Sequence, residues 1–161
     1  MKRILVLRLV AAALSIACAG APHMPSSRAG LAGDYDLVAL DGRPLPQQFV
    51  TASADSSTVE GGTLMLRADG SGVLVIRTRL TVGGSASTSD EMTKSDSVYL
   101  TIRSGTPELH IFSPGMHRDM PVYLGARPLT VTEGQVEFLH TLSASPTLKD
   151  RRLAFARRVS R

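Results

Sequence analysis

The feature that most constrains the fold of this chain is a long β-rich segment at residues 62–82, GTLMLRADGSGVLVIRTRLTV. Two runs of aliphatic and β-branched residues flank the sequence ADGSG, whose Asp-Gly pair and second glycine favour a tight reversal of the chain. One face of the second run would carry Leu74, Ile76, Thr78, Leu80 and Val82. Because side chains alternate between the two faces of a strand, the segment predicts an antiparallel hairpin with one face in a core.

Similar short β-rich runs continue along the chain. The first is GDYDLVAL at residues 33–40, which ends at an Asp-Gly pair and two prolines that cannot donate to a central ladder. Six more runs follow residue 96, namely SVYLTIRS, ELHIFSP, MPVYLGA, PLTVTE, QVEFLHTL and RLAFARRV. About nine strands without helical spacing are typical of an all-β antiparallel barrel or sandwich.

Two polar segments interrupt this pattern. Residues 83–96, GGSASTSDEMTKSD, have no apolar period and predict a mobile loop, which would serve as a lid over the open end of a barrel. Residues 47–61, QQFVTASADSSTVEG, also resemble a loop, with a short helix or strand near Phe49.

The N-terminus, MKRILVLRLVAAALSIACAG, has the pattern of an export signal. Lys2 and Arg3 precede an apolar run at residues 4–17, which as a helix would span about 21 Å, less than the roughly 30 Å hydrocarbon core of a bilayer. We interpret residues 1–17 as a signal peptide, with a buried N-terminal helix as the alternative. Residues 18–32 contain prolines and no periodicity, which indicates a flexible tether.

The only cysteine, Cys18, lies at the expected end of this signal. The sequence LSIAC resembles the lipobox of bacterial lipoproteins, in which the cysteine is lipidated, although Ser15 stands where leucine is usual. Cleavage after Ala19 or Ala21 without lipidation is the alternative. By the same resemblance, Ala19 after the cysteine implies the outer membrane, so the exported protein would face the periplasm on a lipid anchor.

Charge argues against one class of function. The net charge is +4, but Lys2, Arg3 and Arg8 belong to the signal, so the mature chain is nearly neutral. No nucleic-acid partner is therefore predicted, and the few aromatic residues are too dispersed to form stacking platforms. A basic run remains at the end, LKDRRLAFARRVSR, which either contacts anionic headgroups or is a solvated face.

The opening strand, the TLMLRADGSGVLVI hairpin and a last strand ending in arginine resemble bacterial lipocalin-like lipoproteins. The resemblance implies a single up-and-down barrel of eight or nine strands over residues 33–161. In lipocalins a Gly-x-Trp opens the first strand, and a late arginine packs over the tryptophan to close the barrel. Gly33 and Tyr35 match those positions and Arg157 or Arg158 would supply the arginine, although Tyr35 as an ordinary strand residue is the alternative.

Residues able to do chemistry are few. His110, His117 and Asp119 are a metal-ligand set in kind, but their spacing matches no compact motif. His110 and His140 lie in predicted strands, where they would face solvent or a satisfied interior. The sequence has no Gly-x-Ser-x-Gly elbow for a nucleophile. We therefore predict no catalytic residues, no metal and no cofactor, in a protein that is not an enzyme.

Two functions remain open at the level of sequence. In the first, the barrel is an exported binding module that holds a small apolar or amphipathic ligand, since a barrel of about eight strands has room for one. In the second, packed side chains fill the barrel, which acts as an interaction or structural lipoprotein of the cell envelope.

Overall fold

The computed structural model describes residues 27–50, 55–82, 89–115, 120–142 and 150–159, and most of these lie in strands. A single turn of helix, α1 (Arg28–Leu31), comes first. The strands are β1 (Gly33–Leu40), β2 (Arg43–Pro44), β3 (Gln47–Val50), β4 (Ser56–Leu66), β5 (Ser71–Thr81), β6 (Ser89–Arg103), β7 (Thr106–Ser113), β8 (Val122–Pro128), β9 (Thr130–Thr132), β10 (Gln135–His140) and β11 (Arg151–Arg157). The predicted all-β class is confirmed.

Nine of these strands form one antiparallel sheet that is nearly closed into a barrel. Their order is β8-β7-β6-β5-β4-β1-β11-β10-β9, while β2 pairs with β1 and β3 pairs with β4. Neighbours in the sheet are neighbours in the chain with two exceptions: β1 pairs with the last strand, β11, and the short β2 and β3 lie between β1 and β4 in the sequence. The two edge strands, β8 and β9, are separated in sequence by Leu129 alone, so the seam of the barrel lies where the chain passes from one to the other.

The central hairpin forms as the sequence predicts. Asp69 Oδ1 accepts hydrogen bonds from the Ser71 amide at 2.8 Å and the Ser71 hydroxyl at 2.7 Å, and these bonds lower the pKa of Asp69. Gly70 has φ +92°, and a Cβ there would lie 2.8 Å from the Leu100 carbonyl oxygen. A glycine is therefore required both for the backbone conformation and for the close approach of β6.

The inward faces of the strands form one hydrophobic core. Its buried members are Leu31, Tyr35, Leu37, Leu40, Val59, Leu64, Leu66, Leu74, Ile76, Val98, Leu100, Leu109, Ile111, Leu129, Val136, Phe138, Leu142, Leu153 and Phe155. Phe138 and Phe155 stack with ring centres 5.5 Å apart. On the predicted inner face of β5, Leu74 and Ile76 are buried, whereas Val82 beyond the strand is 48% exposed.

The polar segment at residues 83–96 differs from its prediction. β6 begins at Ser89 and pairs with β5 from the Thr81–Ser89 pair onward, so the loop prediction is wrong from residue 89, and residues 83–88 lie outside the described part. Residues 90–93 are exposed on both faces of the strand. An apolar period arises only where one face meets a core, so this stretch could not be distinguished from a loop by its pattern. Because residues 89–96 are paired with β5 in the sheet, they do not form the predicted lid.

The segment at residues 47–61 is also more regular than its composition suggests. β3 includes Phe49, in agreement with one of the two predicted alternatives, and β4 already begins at Ser56. Gln48 Nε2 donates a hydrogen bond of 2.9 Å to Ser56 Oγ across the pair. Polar side chains such as Gln48 and Ser56 thus contact each other across paired strands, so these strands form without a regular alternation of apolar residues.

The folded part starts earlier than Gly33. Ser27 caps α1 by accepting a 3.3 Å hydrogen bond from the Gly30 amide, and Leu31 is only 2% exposed. The last residues of the predicted 18–32 tether therefore belong to the barrel. The predicted signal peptide and Cys18 lie outside the described residues. Among the described ones, no helix is long and apolar enough to cross a membrane.

Candidate functional site

The residues expected to close the barrel lie where β1 and β11 meet. Tyr35 is 2% exposed, and its hydroxyl donates a 2.8 Å hydrogen bond to the Leu31 carbonyl of α1. The Arg157 guanidinium carbon lies 5.4 Å from the centre of the Tyr35 ring, and Arg157 Nη2 donates to the Tyr35 hydroxyl at 3.0 Å. Strand pairing sets this contact, because Tyr35 is the direct partner of Arg157 in the ladder.

Arg157 also joins α1 to the strands. Its Nη2 donates to the carbonyl oxygens of Gly30 at 3.0 Å and Ala32 at 2.8 Å. A Cβ on Gly33 would lie 3.2 Å from Arg157 Nε, so the absence of a side chain at Gly33 leaves room for the guanidinium. The structure thus brings Gly33, Tyr35 and Arg157 together in one closing cluster, which holds α1 against the first and last strands.

Arg158 does not take part in this cluster. Its Nε donates a 3.1 Å hydrogen bond to Asp36 Oδ2, and a second bond joins Nη2 to Oδ1. The pair is exposed; the hydrogen bonds and charge raise the pKa of Arg158 and lower that of Asp36. Successive residues of a strand point to opposite faces, so only one of the two predicted arginines can reach Tyr35.

A second arginine–tyrosine contact, absent from the sequence-based prediction, lies at the same end. The Arg28 guanidinium is 5.1 Å from the centre of the Tyr99 ring, and Arg28 Nη1 donates to the Tyr99 hydroxyl at 2.8 Å and to the Asp69 carbonyl at 3.3 Å. Together with Arg157, Arg28 fixes α1 at two points on the end of the barrel.

A second group of polar side chains, Asp96, His140 and Lys94, forms a cluster that is largely buried. Asp96 and His140 are each 2% exposed, and Asp96 Oδ2 lies 3.6 Å from His140 Nε2 and 3.1 Å from Lys94 Nζ. The Lys94 side chain is 38% exposed. Lys94 is therefore partly exposed to solvent while its ammonium contacts a carboxylate that is buried.

Two atoms of this cluster lack hydrogen bonds. Asp96 Oδ1 and His140 Nε2 each expose less than 1 Å² and have no hydrogen-bond partner within the described residues. Burial by itself raises the pKa of Asp96. It is outweighed by the donor groups of His140 and Ser113, which lie near the carboxylate without completing a hydrogen bond to Oδ1, and by the charge of Lys94, so the pKa is lowered. A buried unsatisfied polar group costs about 1–3 kcal/mol, so an arrangement with two of them requires an explanation.

The cluster lies beside the seam of the barrel. His140 is the last residue of β10, and β9 pairs with β10 only over Gln135–Glu137. Within the described part, residues 138–140 pair with β11 alone, and no ladder joins β8 to β9 or β10. Among the described residues, the wall next to His140 therefore has a backbone ladder on one side only.

Sequence analysis missed this cluster for identifiable reasons. Asp96 falls in the segment that the sequence predicts to be a polar loop, and His140 falls in a predicted strand where it would face solvent or a satisfied interior. Asp96 alternates with Val98 and Leu100, which marks it as inward-facing once β6 is known to include it. No local pattern reports that His140 meets it, because the two residues lie on strands separated by the seam.

The outer wall carries a shallow groove of about 530 Å³. Its lining consists of Ala39, Asp41, Gly42, Gln135, Glu137, Leu139, Arg152 and Ala154. At its edge, Asp41 accepts hydrogen bonds from the Arg152 amide at 2.9 Å and Arg151 Nη1 at 2.8 Å. The lining combines small residues with polar and charged ones.

The histidine set considered for a metal is only partly described. His110 contacts Thr101 Oγ1 through Nε2 at 3.1 Å and the Tyr123 hydroxyl through Nδ1 at 3.0 Å, while His117 and Asp119 lie outside the described residues. Among the residues that are described, no group of three or more His, Cys, Asp or Glu side chains is placed to hold a metal ion.

Comparison of this chain with protein-family models, with curated proteins and with solved structures finds no match. The class of protein is thus defined by its own fold, a nearly closed antiparallel β-barrel. The membership of the lipocalin-like lipoproteins stays a prediction.

Proposed function

We propose that this barrel is a binding module for a small amphipathic molecule. The observation that carries the proposal is the pair of buried polar atoms, Asp96 Oδ1 and His140 Nε2, that have no hydrogen-bond partner in the described part of the chain. Ligand sites are mostly apolar with a few placed polar groups, and the aromatic ring of Phe138 lies beside His140 in the core. A polar group of a ligand would satisfy both atoms.

The apolar part of the ligand would contact the aliphatic and aromatic inner wall. Phe138 lies next to the cluster, with its ring centre 6.4 Å from that of His140, and it stacks on Phe155. Burying a ligand's hydrocarbon against such a wall contributes about 25 cal/mol for each Å² removed from water.

The proposed location of the module is the cell envelope. The N-terminal pattern supports export, and Cys18 in LSIAC supports a lipid anchor in the outer membrane with the barrel facing the periplasm. Intact mass of the chain recovered from a Gram-negative host tests this part separately, since a diacylglyceryl group on Cys18 is expected. Cleavage without that group would contradict the anchor.

Native mass spectrometry tests the binding function most directly. The chain would be exported to a periplasm, released gently from its membrane and measured before and after denaturation. An extra mass that survives gentle ionisation and is lost on denaturation is expected, and it would also give the ligand class. A clean mass for the protein alone would contradict a filled binding module.

The second candidate is a packed barrel that acts through its surface. The continuous core favours it, since residues such as Leu64, Leu100 and Leu109 have no exposed surface. In this case the charged groove of the outer wall, around Asp41 and Arg152, would contact an envelope component. A clean native mass combined with no ligand-dependent rise in melting temperature would favour this candidate.

A further inference from the structure

We propose that the Asp96–His140 pair is a head-group subsite and that it takes a neutral hydroxyl at the end of an alkyl chain; this rests on the proposed binding function. The ligand class is thus a long-chain alcohol or a molecule with the same alcohol end, rather than a fatty acid.

Hydrogen-bond chemistry requires a group that both donates and accepts. An ionised carboxylate only accepts, so Asp96 Oδ1 needs a donor. His140 Nε2 donates when that nitrogen carries the proton, and it then needs an acceptor. Asp96 Oδ2 lies 3.6 Å from His140 Nε2 and Oδ1 belongs to the same carboxylate, so one hydroxyl beside the two side chains can donate to Oδ1 and accept from Nε2.

The charges of Asp96 and Lys94 disfavour ligands with an ionised head group, whether a carboxylate or an ammonium. Asp96 and Lys94 are paired at 3.1 Å and neutralise each other. A carboxylate head would place a second negative charge beside Asp96 in a region of low dielectric, and the lowered pKa of Asp96 keeps that carboxyl ionised. An ammonium head group would be repelled by the Lys94 ammonium, which already contacts Asp96 Oδ2. A neutral head adds no charge.

The seam supplies a route to the subsite. Both unsatisfied atoms are sealed, so the wall must part for a head group to reach them. Beside His140, the described residues 138–140 have a ladder on one side only, and Lys94 reaches the solvent from the same cluster. Parting the barrel here breaks side-chain packing but no backbone hydrogen bond among the described residues.

The test compares three probes of equal chain length, namely 1-decanol, decyl methyl ether and decanoate. The full chain, as a Gram-negative host processes it, would be exchanged from detergent into an amphipathic polymer, and affinities measured by equilibrium dialysis against the polymer alone. We expect decanol to bind about tenfold more tightly than the ether, which cannot donate, because one buried hydrogen bond is lost. Decanoate should be weaker than decanol by at least the same factor.

Two variants show whether Asp96 is responsible. Asp96→Asn removes the charge at nearly constant shape, so the preference for decanol over decanoate should fall towards one. Asp36→Asn removes a carboxylate from the outer face of the barrel and should leave the preference unchanged. The comparison of alcohol with ether uses the unmodified chain, so it decides the proposal even if Asp96→Asn fails to fold.

The outcomes separate the subsite from the proposed function. Equal affinity for alcohol and ether would mean that water rather than a ligand hydroxyl satisfies the pair, and it would overturn the subsite while leaving the binding module standing. Tighter binding of decanoate would also overturn it. Binding of none of the three probes would overturn the proposed function and the subsite together.

Discussion

The guanidinium of Arg157 lies 5.4 Å from the centre of the Tyr35 ring and donates a 3.0 Å hydrogen bond to its hydroxyl. The two residues are 122 positions apart, one on the first long strand and one on the last. Because Tyr35 in turn donates to the Leu31 carbonyl, this contact joins three segments of the chain. We therefore expect the closing cluster to contribute strongly to stability.

Tyr35→Phe should lower the free energy of unfolding by about 1–3 kcal/mol, because the buried Leu31 carbonyl loses its donor and Arg157 loses an acceptor. Tyr123→Phe is the matched control, since Tyr123 is 51% exposed although it also makes one hydrogen bond. Urea denaturation measures both. Equal losses for the two variants would contradict a special role of Tyr35.

Arg157→Ala should destabilise the protein by about 1–3 kcal/mol, since a charged donor to three acceptors is removed from around α1. Arg158→Ala removes only an exposed ion pair with Asp36, and such pairs contribute little. The same denaturation measurement compares them. A larger loss for Arg158→Ala would mean that the assignment of the closing arginine is wrong.

Leu31→Ala should cost about 2–5 kcal/mol, because Leu31 is 2% exposed and a cavity would be left in the core. Leu139→Ala is the control, since Leu139 is 46% exposed on the outer wall. If residues 27–32 were part of a flexible tether instead, both variants would unfold at the denaturant concentration of the parent.

The double variant Asp96→Leu, His140→Leu should be within about 1 kcal/mol of the parent or more stable, because apolar side chains replace two buried polar groups that each leave one atom without a hydrogen bond among the described residues. The partly exposed Lys94 can turn to the solvent. Thermal and urea denaturation give the result. A loss above about 3 kcal/mol would show that the polar pair stabilises the barrel, as a hydrogen-bonded network does.

Stability should fall as the pH falls below the ordinary aspartate pKa of 3.8. Partial burial of Asp41 raises its pKa, but the hydrogen bonds from the Arg152 amide and from Arg151 outweigh burial, so the pKa of Asp41 is lowered in the folded protein. As the pH falls, the unfolded chain therefore takes up this proton before the folded protein does. The contribution is therefore present above pH 3.8 and lost as the pH falls through the folded-state pKa.

Urea denaturation of the parent and Asp41→Asn over a pH series measures this dependence. Asparagine tolerates the positive φ of 51° at this position. The variant should show a shallower fall in stability towards acid, because one carboxylate with a lowered pKa is gone. Identical pH profiles would contradict the contribution of Asp41.

Much of the fold was accessible from local patterns. The hairpin around Asp69 and Gly70 was predicted because turn chemistry and alternation act over a few neighbouring residues. The loop prediction for residues 83–96 failed because the first part of β6 has no buried face, so its sequence carries no period. Alternation of apolar and polar residues arises where one face of a strand is buried, so it identifies only strands that have a buried face.

The sequence by itself determined the all-β class, the position of the main turn and the pair of arginines from which the closing residue would come. Only the tertiary structure decided between Arg157 and Arg158, because the register of β11 against β1 sets which of the two points towards Tyr35. Only the tertiary structure brought Asp96 and His140 within 3.6 Å. Their meeting depends on the curvature that brings distant strands together at the seam, and no local pattern encodes that curvature.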